Sequence, residues 1–135
     1  MLQIRQATEN DLPFIYSSWL KSNRNSGIGK DLLNEIYFDE HKQIIGRRFS
    51  QGAIYVAHPE NEPDVLMGFI SHHQGYLDYV YVKQNFRKMK VASTLIKLFF
   101  PDFGSKITKV THTPKNSKDA QVKFKLYYNP YHLLK

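Results

Sequence analysis

The chain has 135 residues, 41% hydrophobic and 23% charged, which fits one domain spanning residues 1–135 and excludes a disordered tail. It has no cysteine, which excludes a disulfide framework, a cysteine nucleophile and thiolate metal sites. The net charge of +7 is unevenly divided: residues 1–82 carry seven Lys/Arg against ten Asp/Glu, and residues 83–135 carry twelve against two. The second half is suited to an anion, either a nucleic-acid backbone or a polyphosphate held at a loop.

Leu2, Ile4 and Gln6 alternate with Gln3, Arg5 and Ala7, the pattern of a half-buried strand and not of a signal peptide. A helix follows, with Thr8 or Asn10 as cap, Pro13 in its first turn, and Leu12, Ile15, Tyr16, Trp19 and Leu20 at helical spacing. Residues 22–27 form a breaker run and read as a loop. The spacing of Leu32, Leu33, Ile36, Tyr37, Ile44, Ile45 and Phe49 predicts a second helix over 31–49. Residues 53–57 and 65–70 are short apolar runs that read as strands joined by a hairpin loop. No apolar run approaches the roughly 18 residues needed to span a bilayer.

A strand over 76–82, rich in aromatic and β-branched residues, exits into the basic stretch 83–90. An amphipathic helix over 91–100 comes next, with Val91, Leu95, Ile96, Leu98 and Phe99 on its apolar face and Pro101 as its stop. A loop feeding a helix N-terminus presents unpaired amides and the positive end of the helix dipole, so residues 86–93 can hold a pyrophosphate. Residues 107–113 read as a strand ended by Pro114. A last helix starts at Asn116, includes Ala120, Val122, Phe124 and Leu126, and breaks at Asn129-Pro130, leaving a short final segment with room for a strand.

This order, β-α-α-β-β-β-α-β-α around a central strand-loop-helix unit, resembles the GNAT family, the acetyl-coenzyme-A-dependent N-acetyltransferases, over nearly the whole chain. The resemblance is sharpest over 76–96. There Arg87 and Ala92 match the family's Arg/Gln-x-x-Gly-x-Gly/Ala loop, and Lys90 replaces its first glycine. The run 4–8 with Asp11-Leu12, and residues 65–70, also look like the family's opening and third strands. The resemblance implies an α/β fold: a mixed, mostly antiparallel sheet of about six strands with helices on both faces, splayed between the fourth and fifth strands. It implies acetyl-CoA as co-substrate, contacted by Tyr81, Val82, Arg87, Lys88, Met89, Lys90, Val91, Ala92 and Ser93, with no metal.

For catalysis the resemblance implies Asp78 as the group that takes the amine's proton. By period-2 alternation Asp78 shares a strand face with Val80 and Val82. Its other reading is a strand-end carboxylate paired with a surface Lys or Arg. The family's last helix supplies a tyrosine as acid, but here Phe124 stands at that place and cannot donate a proton. Tyr127 and Tyr128 can serve if that helix is shifted or ends in an irregular turn.

The function so implied is direct acetyl transfer to an amine, on a small molecule or a protein, in the cytoplasm. The acidic first half, which in this family walls the acceptor site, implies a cationic acceptor. Lys90 and Phe124 hold open a second reading, a non-catalytic GNAT-fold binding or structural protein in a homodimer or larger assembly. Short family members also occur in bacteriophage genomes, a source that would place the chain in the host cytoplasm or the virion. A third reading, a nucleic-acid module using Lys115, Lys118, Lys123 and Lys125 with Tyr127, Tyr128 and Tyr131, has no helix-turn-helix, RNP or zinc-finger signature behind it. His72 and His73 are strand neighbours, so their side chains point to opposite faces and do not chelate one metal together.

Overall fold

Six strands form one sheet in the order β1 (Leu2–Gln6), β2 (Ile54–Pro59), β3 (Gly68–His73), β4 (Tyr76–Val82), β5 (Thr108–Val110) and β6 (Leu126–Tyr128). The computed structural model describes residues 1–26, 29–113 and 117–135. Gly27 in the expected loop, the strand stop at Pro114, Lys115 and the helix start at Asn116 lie outside the described residues. The pairings β1–β2, β2–β3 and β3–β4 are antiparallel, and β4–β5 and β5–β6 are parallel. The sheet is therefore mixed and mostly antiparallel, as the resemblance implied.

Helices cover both faces because the strands present apolar residues to both. From α1 (Leu12–Asn23) and α2 (Asn34–Ser50), Ile15, Trp19 and Ile45 pack on Ile54, Val56, Phe69 and Tyr79. From α3 (Val91–Phe99), Val91 and Leu95 pack on Ala57, Ile70, Leu77 and Val110. A last helix, α4 (Ser117–Phe124), links β5 to its parallel neighbour β6.

Several boundaries differ from the sequence reading, each for a local reason. Helix α1 runs on through Ser22, whose hydroxyl donates to the Ser18 carbonyl at 2.6 Å and so satisfies itself inside the helix. Helix α2 begins only at Asn34, leaving Leu32, Leu33 and Ile36 exposed; its buried stripe is Tyr37, His41, Ile44, Ile45 and Arg48. Strand β3 starts at Gly68 because Val65 closes a turn onto the Glu62 carbonyl at 3.1 Å. A side chain at Gly68 would collide with the Tyr81 carbonyl of β4, so glycine there permits close strand approach. The last helix stops at Phe124 because Lys125 takes φ 55°, which turns Leu126 into β6.

Two irregularities of β4 shape the site. Its pairing with β3 passes from Ser71↔Tyr79 to His72↔Leu77, so Asp78 is the extra residue of a bulge. The bulge shifts the alternation. Asp78 and Tyr79 both reach the α1–α2 side, where Asp78 meets Arg48 and Tyr79 stacks on Trp19, while Leu77, Val80 and Val82 pack on the α3 side. The expectation that Asp78 shares a face with Val80 and Val82 is thereby corrected. The second irregularity is on the other edge: β4 pairs with β5 only at Tyr76↔Lys109 and Leu77↔Val110, and the Thr111 amide bonds the Leu77 carbonyl at 3.0 Å. Beyond that bond the strands part, and among the described residues no strand pairs with this edge of β4 from Tyr79 to Val82.

Candidate functional site

The free end of β4 runs into a loop that folds back on it. Lys83 donates its amide to the Met67 carbonyl at 2.9 Å, closing the ladder, and Arg87 returns Nε to the Val82 carbonyl at 3.0 Å. Lys88 at φ 68° and Lys90 at φ 60° are both left-handed. That conformation costs a residue with a Cβ about 1–2 kcal/mol, which is why glycine is the usual occupant. Lys90 thus keeps the backbone conformation that suits glycine at this position of the loop. It also caps α3: its carbonyl accepts the Thr94 amide at 3.0 Å and the Thr94 hydroxyl at 2.7 Å.

Ahead of that first helical bond, among the described residues, no side chain caps α3, so the amides of Val91, Ala92 and Ser93 point out of the helix end as free donors. A cleft of about 300 Å3 opens there, lined by Val82, Phe86, Arg87, Lys88, Lys90, Val91, Ala92 and Ser93. Its chemistry is three cations and three outward amides over an apolar floor, which fits a phosphate chain continued by a neutral arm. Seven of the nine residues expected to touch the cofactor line this cleft. Met89 is exposed in the same loop, and the Tyr81 ring lies on the α1 side against Phe14 and Phe69.

Asp78 is placed differently from a free base. Its Oδ2 accepts from Arg48 Nε at 2.8 Å and Ser71 Oγ at 3.0 Å, and its Oδ1 accepts from Thr111 Oγ1 at 2.8 Å. The side chains of Arg48 and Asp78 are both fully buried. This corrects the surface-pair alternative: the partner is an interior arginine. Arg48 also donates to Gln51 Oε1 and to the His132 carbonyl, each at 3.0 Å, so one guanidinium joins α2, β4 and the C-terminal turn.

Where β4 and β5 part, a small cavity of about 10 Å3 is bordered by Trp19, His41, Asp78, Tyr79, Thr111 and His112. Burial pushes His41 and His112 down to about 4, with the charge of His112 adding to the effect on His41, so both rings are neutral near pH 7. The neutral His41 Nε2 lies 3.3 Å from Asn23 Nδ2, which donates to it. Tyr79 shares a 2.6 Å hydrogen bond with Ser22, and burial raises its phenol against the opposing effect of that bond.

No family model matches the chain, and no curated protein matches it. Solved structures do. A GNAT-family acetyltransferase from Bacillus cereus superposes with TM-score 0.50 at 18% identity over 73% of this chain and 61% of its own. A ribosomal-protein-alanine N-acetyltransferase from Brucella melitensis gives 0.51 at 22% over 74% and 65%. YncA from Salmonella typhimurium, solved with its cofactor acetyl-CoA, gives 0.52 at 15% over 73% and 61%. The chain has a GNAT-like fold. It spans less than two thirds of the length of these three proteins.

Within this GNAT-like fold the expected catalytic tyrosines stand apart from Asp78. Tyr127 and Tyr128 belong to β6 and not to the last helix, so as strand neighbours they face opposite sides. Tyr127 is exposed, and Tyr128 packs into the α3-side core, where burial raises its phenol. Strand β5 lies between them and β4. Phe124 ends α4 and stacks on Phe103 at 5.9 Å. Among the described residues no three His, Asp or Glu side chains are grouped to hold a metal, and no helix is long and apolar enough to cross a membrane.

Arg48 and His41 are the site residues that sequence reasoning passed over. Both sit in the apolar stripe of α2 at intervals of three and four, Tyr37, His41, Ile44/Ile45 and Arg48. A polar residue in phase with such a stripe is the signal that marks an interior partner.

Proposed function

We propose that the chain transfers an acetyl group from acetyl-CoA to an amine. The observation that carries this reading is the junction at the end of β4. A strand edge left free by the splay continues into a loop whose left-handed Lys88 and Lys90 turn the amides of Val91, Ala92 and Ser93 into a basic cleft. In this reading those amides, with Arg87, Lys88 and Lys90, hold the pyrophosphate, and the backbone of Tyr81 and Val82 holds the pantetheine arm. Acetyl-CoA supplies the acetyl group as a thioester: the amine nitrogen forms the new N–C bond, the C–S bond breaks, and the proton lost by the amine balances the thiolate released. In this reading the arm runs along β4, beside the cavity bordered by the Trp19, Tyr79 and His112 rings.

The test is calorimetric titration of the chain and of Arg87→Ala with acetyl-CoA and CoA at two salt concentrations. Saturable binding, weakened by the substitution and by salt, is the expected result. No binding at millimolar ligand would overturn the reading.

The engagement of Asp78 by three donors and the place of Tyr127 and Tyr128 on β6 favour a second reading, a GNAT-fold protein that binds acetyl-CoA without transferring it. Binding without turnover of any primary amine would distinguish it.

A further inference from the structure

A groove of about 500 Å3 lies between α1 and the end of β4, on the sheet face opposite α3. Among the described residues three cations line it and no acid does: Lys21 from α1, Lys83 at the exit of β4 and Arg87 from the loop. Among the described residues none of the three has a carboxylate within 4.0 Å. Two of the charged heads rest on aromatic surfaces instead, Lys83 Nζ 5.0 Å from the Phe14 ring centre and Arg87 Cζ 6.0 Å from that of Tyr81. Arg87 borders the cofactor cleft as well and is assigned to the pyrophosphate in the transfer reading, which leaves Lys21 and Lys83 as the cations that meet an anion in the groove.

Like charges gathered in a concavity without counter-charges raise the local potential and the local concentration of anions. The acids of the first half do not offset this. Asp11 is bound to Arg5 at 2.7 Å and Asp78 to Arg48, and none of the acidic residues borders the groove. The groove also adjoins the proposed transfer site from the correct side. Arg87 borders both the groove and the cofactor cleft, and the Ser22–Tyr79 hydrogen bond joins the groove to the cavity where the strands part.

Resting on the acetyl-transfer reading, we propose that this groove seats the acceptor and that the acceptor is a primary amine carrying a carboxylate or phosphate group. The proposal departs from the cationic acceptor expected from the charge division, because the charge that faces the groove is positive.

The experiment uses matched amines, glycylglycine against glycylglycinamide and phosphoethanolamine against ethanolamine, on the wild-type chain and on K21E/K83E. Binding is read first from amide chemical shifts without acetyl-CoA, then from kcat/KM with it, and acetyl-CoA affinity is titrated on both proteins. The expected result is saturable shifts near Ser17, Lys21 and Lys83 for an anionic member only, the carboxylate and phosphate arms showing which group is preferred. Its kcat/KM should exceed that of its neutral match by about tenfold, an advantage that K21E/K83E abolishes without changing acetyl-CoA affinity. Equal binding of neutral and anionic amines would overturn the proposal and leave the transfer reading intact. So would a loss of CoA affinity in K21E/K83E that is absent for dephospho-CoA, since the groove would then serve the carrier's 3′-phosphate. Anion binding with no acetyl-CoA binding would overturn the transfer reading and, with it, the bound anion's role as acceptor.

Discussion

Arg48 Nε meets Asp78 Oδ2 at 2.8 Å in the interior of the molecule, and that contact fastens α2 to the bulge of β4. Both charges are desolvated, so each depends on the other for compensation. Removing either alone leaves a buried charge without its partner, which costs about 3–5 kcal/mol, whereas removing both together costs less than the sum. Arg48→Met and Asp78→Asn are each expected to lower the thermal midpoint sharply, and Arg48→Met/Asp78→Asn to recover part of the loss. A double-mutant cycle by chemical denaturation checks this, and additive losses would show the pair is not coupled.

His41 and His112 contribute to the acid side of the stability profile, with His72, His73 and His132, which burial also lowers. His41 and His112 are held near 4 in the folded chain, against about 6.5 when unfolded. Between those values the unfolded state binds more protons, so stability rises with pH there. It is complete above about pH 6.5 and is lost progressively as pH falls toward 4. His112→Phe, which cannot take up a proton, should flatten the profile over this window. Denaturation midpoints from pH 4 to 7.5 measure it, and an unchanged slope would count against the burial of His112 as its source.

Much of the fold is legible in the residues because local pattern and tertiary role agree. Strand β4 was visible in its aromatic and β-branched run, and α3 in the apolar spacing of Val91, Leu95 and Ile96 ended by Pro101. The departures have physical causes that a periodic reading does not contain. A bulge inserts one residue without a composition signal, so the direction of Asp78 was misread. The Lys125 turn gave Leu126 to a strand although its spacing fits a helix. Arg48 and His41 were passed over because their partners, Asp78 and Asn23, are distant in sequence. The loop at 86–93 was expected to hold an anion from its charge and its place before a helix, and a cleft bordered by three cations lies there. The left-handed backbone at Lys88 was not legible, since lysine carries no preference for it.

Lys90 holds the loop in a conformation that glycine would adopt without strain. Lys90→Gly should therefore keep the fold with an unchanged or higher midpoint, a gain of up to about 1 kcal/mol after the added freedom of glycine in the unfolded chain. Lys90→Val, branched at Cβ, should lose about 1–2 kcal/mol. In Lys90→Gly the affinity for acetyl-CoA should fall about threefold at low salt, from the lost ammonium, and converge on wild type at high salt. Thermal denaturation and calorimetry at two salt concentrations check the set. A Lys90→Gly chain less stable than Lys90→Val would mean that the lysine side chain, and not the backbone, organises the loop.

Tyr127 and Tyr128 offer a test of where proton transfer takes place. Both lie on β6, with β5 between them and the free edge of β4, and Tyr127 is largely exposed. A general acid contributes about 10²–10⁴ to rate only within hydrogen-bond reach of the group it protonates. Tyr127→Phe and Tyr128→Phe are accordingly expected to leave kcat for acetyl transfer within about threefold of wild type, well below that range. Tyr79→Phe instead removes a hydroxyl that sits on β4 itself, 2.6 Å from Ser22, at the cavity where the strands part. If the thiolate takes its proton from this side of β4, Tyr79→Phe lowers kcat by at least about tenfold and the basic limb of the pH profile shifts, which loss of packing alone does not produce. A large loss in Tyr128→Phe with Tyr79→Phe near wild type would place the acid on β6 and require the sheet to rearrange when acetyl-CoA binds.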